Sequence, residues 1–395
     1  MSQRDVVILS GVRTPIGDYG GSLKDFPPSE LGARVIREAV ARAKIDPAEV
    51  GQTVLGNVIH TEPKDMYISR VCAVNGGLPH ESGAMTVNRL CGSGLQAIVS
   101  ASQYILLGET DCAIGAGAES MSRAMYGSSS QRWGARMGDS KMMDMMTGAL
   151  TDPFDTVHMG ITAENVAAKC SFTRGVQDEF AVESHRRAHK AVAAGLFKDQ
   201  ILPIEIKSRK GVTMYDIDEH VRSDASLEGM AKLKAVFQKE NGTVTAGNAS
   251  GINDAAAAVV LMEASVAQKR GLKPLARLVS YGHAGIDPKI MGLGPVSAIR
   301  RALERAGLKI GDLDVIESNE AFAAQAMGVT KELGLDPAKV NPNGGAVALG
   351  HPIGATGCIL TIKAMYELQR TGGRYGLITM CIGGGQGIAA VIERL

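Results

Sequence analysis

Aromatic side chains are scarce in this chain: Phe, Trp and Tyr make up 4% of its 395 residues, with a single Trp. A core built without them is filled by small and aliphatic side chains. A surplus of one charge is absent too, since 42 Lys and Arg stand against 41 Asp and Glu, a formal net charge of +1. That balance gives no general attraction to phosphate backbones or anionic lipid, so neither nucleic acid nor a membrane is expected as a partner. Long apolar runs are missing. The longest uninterrupted one, Ala255–Met262, falls far below the ~20 residues of a membrane span. The first, Val6–Leu9, is too short for the apolar region of a signal peptide. No pair among Cys72, Cys91, Cys112, Cys170, Cys358 and Cys381 is spaced CxxC, which argues against a zinc ribbon or a thioredoxin-type site. Few, scattered cysteines in a long chain fit a reduced, cytoplasmic protein.

Glycine is abundant instead, at 48 of 395 residues or about 12%, against an average near ~7%. With 45% apolar and 21% charged residues the chain is folded rather than disordered, and it is rich in tight turns. It also repeats itself. VIREAVARA at 35–43 and AIRRALERA at 298–306 superpose at an offset of 263, pairing Ile36 with Ile299, Arg37 with Arg300 and Ala43 with Ala306. Both carry an apolar stripe at helical spacing, and each leads through a short turn into an extended segment, TVLGN or VIESN. The same offset places Gly94 on Gly357, each opening an amphipathic run. This is a duplicated strand–helix unit of the α/β kind. The register then breaks. The first copy has a strand at 111–120, but its closing strand, AAAAVVLME, arrives only at 255–263. A segment of roughly residues 119–248 is therefore expected to be an insertion. The expected division is 1–118 plus 249–270 for the first half, 119–248 for the insertion and 271–395 for the second half.

Chemistry concentrates in the glycine turns. In TVNRLCGSGLQAI a β-favouring run ends at Cys91, and a helix follows near Gly94. A thiol placed there faces free backbone N–H groups and the positive end of a helix dipole, a setting that depresses its pKa from ~8.5 towards neutrality. For a lone cysteine the plainer reading is a small buried side chain. GSGLQA also matches the G-x-G-x-x-A dinucleotide fingerprint, which requires an acid at the end of the next strand. Asp111 has the separation but stands at the start of its strand, and Asn88 and Arg89 are polar where a buried strand should be apolar. A nicotinamide dehydrogenase stays open at this point as the lesser alternative. The second half supplies His351 in GHPIGATG, Cys381 in CIGGGQG at the end of a strand, and Asn319 in ESNEAF just after one. Packed with pseudo-twofold symmetry, these turns share one sheet edge, where open α/β sheets bind ligands. A cysteine, a histidine and a second cysteine, each in its own glycine turn, fit covalent catalysis.

Taken together these residues resemble the thiolases, over essentially the whole chain. NRLCGSGLQAI, HMGITAENVA, GNASGIND, NEAFAAQ, GHPIGATG and CIGGGQG follow in the family's order. RWGARMGD and GLKPLARLVSYGHAG further resemble bacterial β-ketothiolases that feed polyhydroxyalkanoate synthesis. The resemblance implies an α/β fold of two duplicated halves in a five-layered α-β-α-β-α arrangement, with an inserted loop domain. It implies an acyl-CoA C-acyltransferase that interconverts two acyl-CoA molecules with a 3-oxoacyl-CoA plus CoA. Cys91 would be the nucleophile, His351 its activator and Cys381 the acid and base. One oxyanion hole would come from His351 with a water held by Asn319, the other from the backbone N–H groups of Cys91 and Gly383. Coenzyme A would be substrate and product, with no separate cofactor and no metal. It would rest against Ser250, Leu150, His158, Met159, Phe237, Ala246, Met291 and Phe322, with Arg222 beside the adenine. The absence of a P-loop suits a ligand held by its pantetheine arm and adenine. The resemblance also implies a homotetramer built from dimers, with loop 121–146 as a contact. Three departures from the family pattern are Ala256 at a turn position that often carries glycine, Gly229 where relatives often carry serine, and ESMSRAMYG. The rivals are a β-ketoacyl synthase acting on carrier-protein thioesters, which pairs its cysteine with two histidines, and a non-catalytic CoA-binding protein.

Overall fold

The computed structural model describes residues 4–209 and 211–395. In chain order the elements that position the site are β1 (Val6–Arg13), α1 (Pro28–Ala43), β2 (Gln52–Gly56), β3 (Gly83–Val87), α2 (Ser93–Leu106) and β4 (Cys112–Ser120). Next come α3 (Met159–Cys170), α4 (Arg174–Ala193) and β5 (Asn253–Glu263). The remainder is β6 (Ala276–Gly285), α5 (Gly294–Ala306), β7 (Val315–Ser318), α6 (Ala323–Leu333), α7 (Thr356–Thr371), β8 (Tyr375–Ile382) and β9 (Gln386–Arg394).

The duplication is visible in the pairing. One half runs in the order β1-β5-β4-β2-β3, with antiparallel β1/β5 and β5/β4 followed by parallel β4/β2 and β2/β3. The other runs β6-β9-β8-β7, with antiparallel β6/β9 and β9/β8 and parallel β8/β7. A lone parallel bridge between Ile316 and Val340 stands in the place of a fifth strand. The halves meet edge to edge through Val7 with Arg277 and Ile8 with Ala276.

Strands β1, β4 and β5 are buried along their whole length, as sheets covered by helices on both faces require. Three apolar layers result. Leu95, Ile98, Ile359, Ile362 and Met380 pack between the sheets around α2 and α7. Leu31, Ile36, Val40 and Ile114 form the core under α1, and Ile299, Leu303, Ile316 and Val391 the one under α5. The order of layers is therefore helix, sheet, helices, sheet, helix. The two glycines matched by the repeat touch at its centre. A Cβ on Gly357 would lie 2.0 Å from Leu95 N, and one on Gly94 2.9 Å from Cys358 N. Only glycine lets the N-terminal turns of α2 and α7 come this close.

The chain leaves the first sheet at Ser120 and returns at Asn253, and Ser120 pairs with Asp254. The intervening segment holds α3, α4 and a hairpin of Ile204–Ser208 with Gly211–Tyr215. Two local expectations are corrected. The strand before the first thiol stops at Val87, because the chain turns through Asn88–Gly92 with Leu90 at φ 43°. Ala256 is not at a turn: it lies inside β5, opposite Ala118, where its N–H donates to Thr14 Oγ1.

Candidate active site

Cys91 is presented by a pinned turn. Ser93 Oγ accepts the N–H of Arg89 at 2.8 Å and donates to Leu90 O at 2.7 Å, while Asn88 Oδ1 accepts the Leu90 N–H at 3.0 Å. These bonds hold Leu90 in its left-handed conformation, a strain that proteins keep where a side chain must be aimed. The thiol is half-buried at the wall of a cavity of about 310 Å³. Its pKa is not depressed as the sequence suggested. Burial pushes it up to about 11, with the charge of Glu119 adding to the rise, and hydrogen bonds from the backbone N–H groups of Gly383 and of Cys91 itself act against it. Desolvation outweighs the helix terminus. Gly383 is closely packed by two flexible side chains, since a Cβ there would sit 2.2 Å from Met159 Cε and 2.8 Å from Leu90 Cδ1 and would push both aside.

Cys381 lies one residue before the end of β8 and is fully buried in an apolar cluster with Met159, Met291, Ala321 and Phe322. Burial and then the neighbouring Cys91 hold its pKa well above the ordinary thiol value. His351 is buried, and burial lowers its pKa to about 4, so the ring is neutral near pH 7. Asn253 Oδ1, from β5 in the other half, accepts the His351 N–H at 2.9 Å. The Thr356 hydroxyl lies 2.6 Å from His351 Nδ1 and donates its one proton to Pro352 O at 3.0 Å. It therefore accepts Nδ1–H, which leaves the Nε2 lone pair free towards the site. Asn319 Nδ2 stands 3.4 Å from that Nε2, and Asn319 Oδ1 is buried with no partner among the described residues.

The cavity brings together Cys91, His351, Leu150, His158, Met159, Ala246, Ser250, Met291, Phe237 and Phe322. His158 caps α3 by accepting the Gly160 N–H, stacks on Phe237 at 4.5 Å, and Phe237 meets Phe322 edge-on at 6.4 Å. Burial lowers the His158 pKa. Arg222 is not in this cavity. It lines an adjoining polar hollow of about 150 Å³ with His185, His220, Ser226 and Gly229, and Ala246 borders both. Met121, Ile252 and Ile353 line the cavity as well, and neither they nor Thr356 and Asn253 were singled out from the sequence. A larger apolar hollow of about 440 Å³, lined by Phe172, Phe180 and Met327, contains neither thiol nor His351, so volume alone does not locate the site. Among the described residues no cluster of three or more His, Cys, Asp or Glu is placed to hold a metal ion. No helix among them is long and apolar enough to cross a membrane.

Two family models account for nearly the whole chain: the N-terminal domain of thiolase matches residues 6–265 and the C-terminal domain residues 272–394. The chain belongs to the thiolase family. Among its thiolase relatives, the beta-ketothiolase BktB of Cupriavidus necator is 68% identical over 392 residues, covering 99% of this chain and 100% of that protein. The crystal structure of the Bacillus anthracis acetyl-CoA acetyltransferase superposes with a TM-score of 0.97 at 45% identity, covering 100% of this chain and 99% of that one. Human mitochondrial 3-ketoacyl-CoA thiolase in complex with CoA gives 0.96 at 43%, covering 100% and 98%. The thiolase fold is thus shared over its full length.

Proposed function

We propose that this thiolase catalyses reversible Claisen condensation and thiolysis, interconverting two acyl-CoA molecules with a 3-oxoacyl-CoA and CoA through an acyl thioester on Cys91. The observation that carries the assignment of residues is the convergence of Cys91 and neutral His351 on one cavity walled by Phe237, Phe322 and Ser250, with Cys381 packed directly against its wall residues Met159, Met291 and Phe322. His351 Nε2 takes the Cys91 proton as the sulfur attacks the thioester carbonyl. The backbone N–H groups of Cys91 and Gly383, which reach the sulfur of the resting thiol, are aimed at the oxyanion that forms beside it. Cys381, protonated at rest, gives its proton to the departing CoA sulfur. The resulting Cys381 thiolate then removes a proton from the α-carbon of the second acyl-CoA. His351 and Asn319 face the enolate oxygen. Carbon–carbon bond formation expels the Cys91 sulfur, and the proton held on His351 returns to it, so the cycle closes without net proton loss.

Residues 119–248 form the inserted domain in this reading. Leu150, His158, Met159, Phe237 and Ala246 from it, with Ser250, Met291 and Phe322, hold the pantetheine arm, and Arg222 in the adjoining hollow meets the nucleotide end. Gly229 lines that hollow where a serine would have offered one more hydroxyl. Coenzyme A is substrate and product rather than a resident cofactor. The protein works in the cytoplasm as a homotetramer, with exposed Trp133 and Met137 on the 121–146 loop as the contact. The test is turnover: CoA-dependent loss of acetoacetyl-CoA, followed at its enolate absorbance, is expected with free CoA esters. Activity confined to carrier-protein thioesters would overturn the assignment.

A further inference from the structure

Glu119 stands one residue before the end of β4, is fully buried, and has no part in the proton transfers above. Its carboxylate accepts four hydrogen bonds. Oε1 receives Asn57 Nδ2 at 3.1 Å and the Ile59 N–H at 3.0 Å, and Oε2 receives the N–H groups of Val58 at 3.1 Å and Gly354 at 2.8 Å. All four partners are donors, an arrangement that suits a carboxylate; burial raises the Glu119 pKa to about 8 against these bonds, so the charge is present in the alkaline range where Cys91 titrates. The donors come from both halves. Asn57–Ile59 follow β2, whereas Gly354 lies three residues beyond His351. The clamped loops also wall the thiol: Val58, Ile59 and Ile353 pack with Met121 and Cys91 in one apolar cluster.

We propose that Glu119 is a positioning residue for acyl transfer: its carboxylate ties the His351 loop of one half to the 57–59 loop of the other and so fixes the base and the apolar wall over Cys91. This rests on the reading of Cys91 and His351 given above. A neutral isostere tests it, because Glu119→Gln must turn an NH₂ towards at least one of the four donors. The charge supplies a second signature. Glu119 raises the Cys91 pKa, so its removal favours the thiolate; Cys381 beside Cys91, and His351 and His158 on the same cavity, are the other titratable groups there, and Asp254 is the other carboxylate beside Glu119.

The experiment compares parent and Glu119→Gln in single-turnover acylation by acetyl-CoA, in the KM for acetyl-CoA and in the pH dependence of Cys91 alkylation by iodoacetamide. Expected are an acylation rate lower by ~10-fold or more, a KM within about twofold, and an alkylation midpoint moved to lower pH. An acylation rate within twofold of the parent overturns the proposal. A slower rate with an unmoved midpoint also overturns it, because Glu119 would then be only a structural group. Should Glu119→Gln not fold, Gly354→Ala decides. Its Cβ would stand 2.7 Å from Glu119 Oε2 and 3.0 Å from Asn57 Cα and Gly56 O, prising the two clamped loops apart with the charge retained. Slower acylation at an unchanged melting temperature supports the clamp, and an unchanged rate overturns it. A parent that forms no acyl-Cys91 would instead defeat the underlying mechanism, so the two failures are distinct.

Discussion

Two thiols reach the same site from opposite halves, and their surroundings differ in kind. Cys91 stands in a strained turn before α2, half-open to the cavity, with the N–H groups of Gly383 and of its own residue at the sulfur. Cys381 lies one residue before the end of its strand, fully buried among Met159, Met291 and Phe322. Burial raises both pKa values, yet only Cys91 has donors from another residue opposing the rise. Depth therefore does not separate the roles; the backbone donors do. A sulfur beside fixed N–H groups, and near an imidazole with a free Nε2, can become a nucleophile when substrate arrives. A sulfur walled by apolar atoms keeps its proton at rest, and in the proposed cycle gives it up only to the negative charge that forms beside it on the departing CoA sulfur.

The largest expected effect strikes the first thiol. Cys91→Ala should lower acetoacetyl-CoA thiolysis by more than ~10³-fold, since the covalent route disappears. Next is Cys381→Ser, expected to slow the condensation step by ~10²–10⁴-fold, the range for a lost general acid or base, while acylation of Cys91 persists in a burst experiment. Equal losses in both half-reactions would erase the distinction between the two thiols. Thr356→Val takes away the acceptor that holds His351 Nδ1–H, and a kcat about tenfold lower is expected, equal to ~1.4 kcal/mol of barrier, with KM nearly constant. Phe237→Ala touches the ligand walls only. Loss of its stacking on His158 should raise the KM for CoA about fivefold and leave kcat within twofold.

The smallest effect is on stability and follows from His351, His185 and His283, each lowered to about 4 by burial. Between their ordinary value near ~6.5 and that value the unfolded chain binds more protons than the folded one, so stability rises with pH. The melting temperature should fall as pH drops from about 6.5 towards about 4, and stop falling on this account below it. His351→Asn should flatten part of that slope.

The duplicated frame was legible because its signals are local. The helical stripes of 35–43 and 298–306 lie in α1 and α5, and the paired glycines 94 and 357 meet at the centre. Cys91, His351, Cys381 and Asn319 each sit in a short motif, and the fold brings them to one cavity region. What the sequence did not show depends on contacts between distant segments. The helix terminus suggested a lowered Cys91 pKa, but walls from several segments desolvate the sulfur. Arg222 is expected beside the adenine, but only the packing of distant segments shows that it lines a polar hollow separate from the cavity. Thr356 fixes the His351 tautomer only because its own proton is given to Pro352 O. Glu119 falls inside the expected 111–120 strand with no role assigned, because its four partners come from segments far from it along the chain.

The most direct measurement is mapping the acyl-enzyme. Cys381→Ser is mixed with labelled acetyl-CoA, quenched in acid and digested. The label is predicted on the peptide containing Cys91, at close to one acetyl group per chain, and absent from Cys91→Ala treated identically. Label on any other residue, or label retained by Cys91→Ala, would contradict the assignment of the nucleophile.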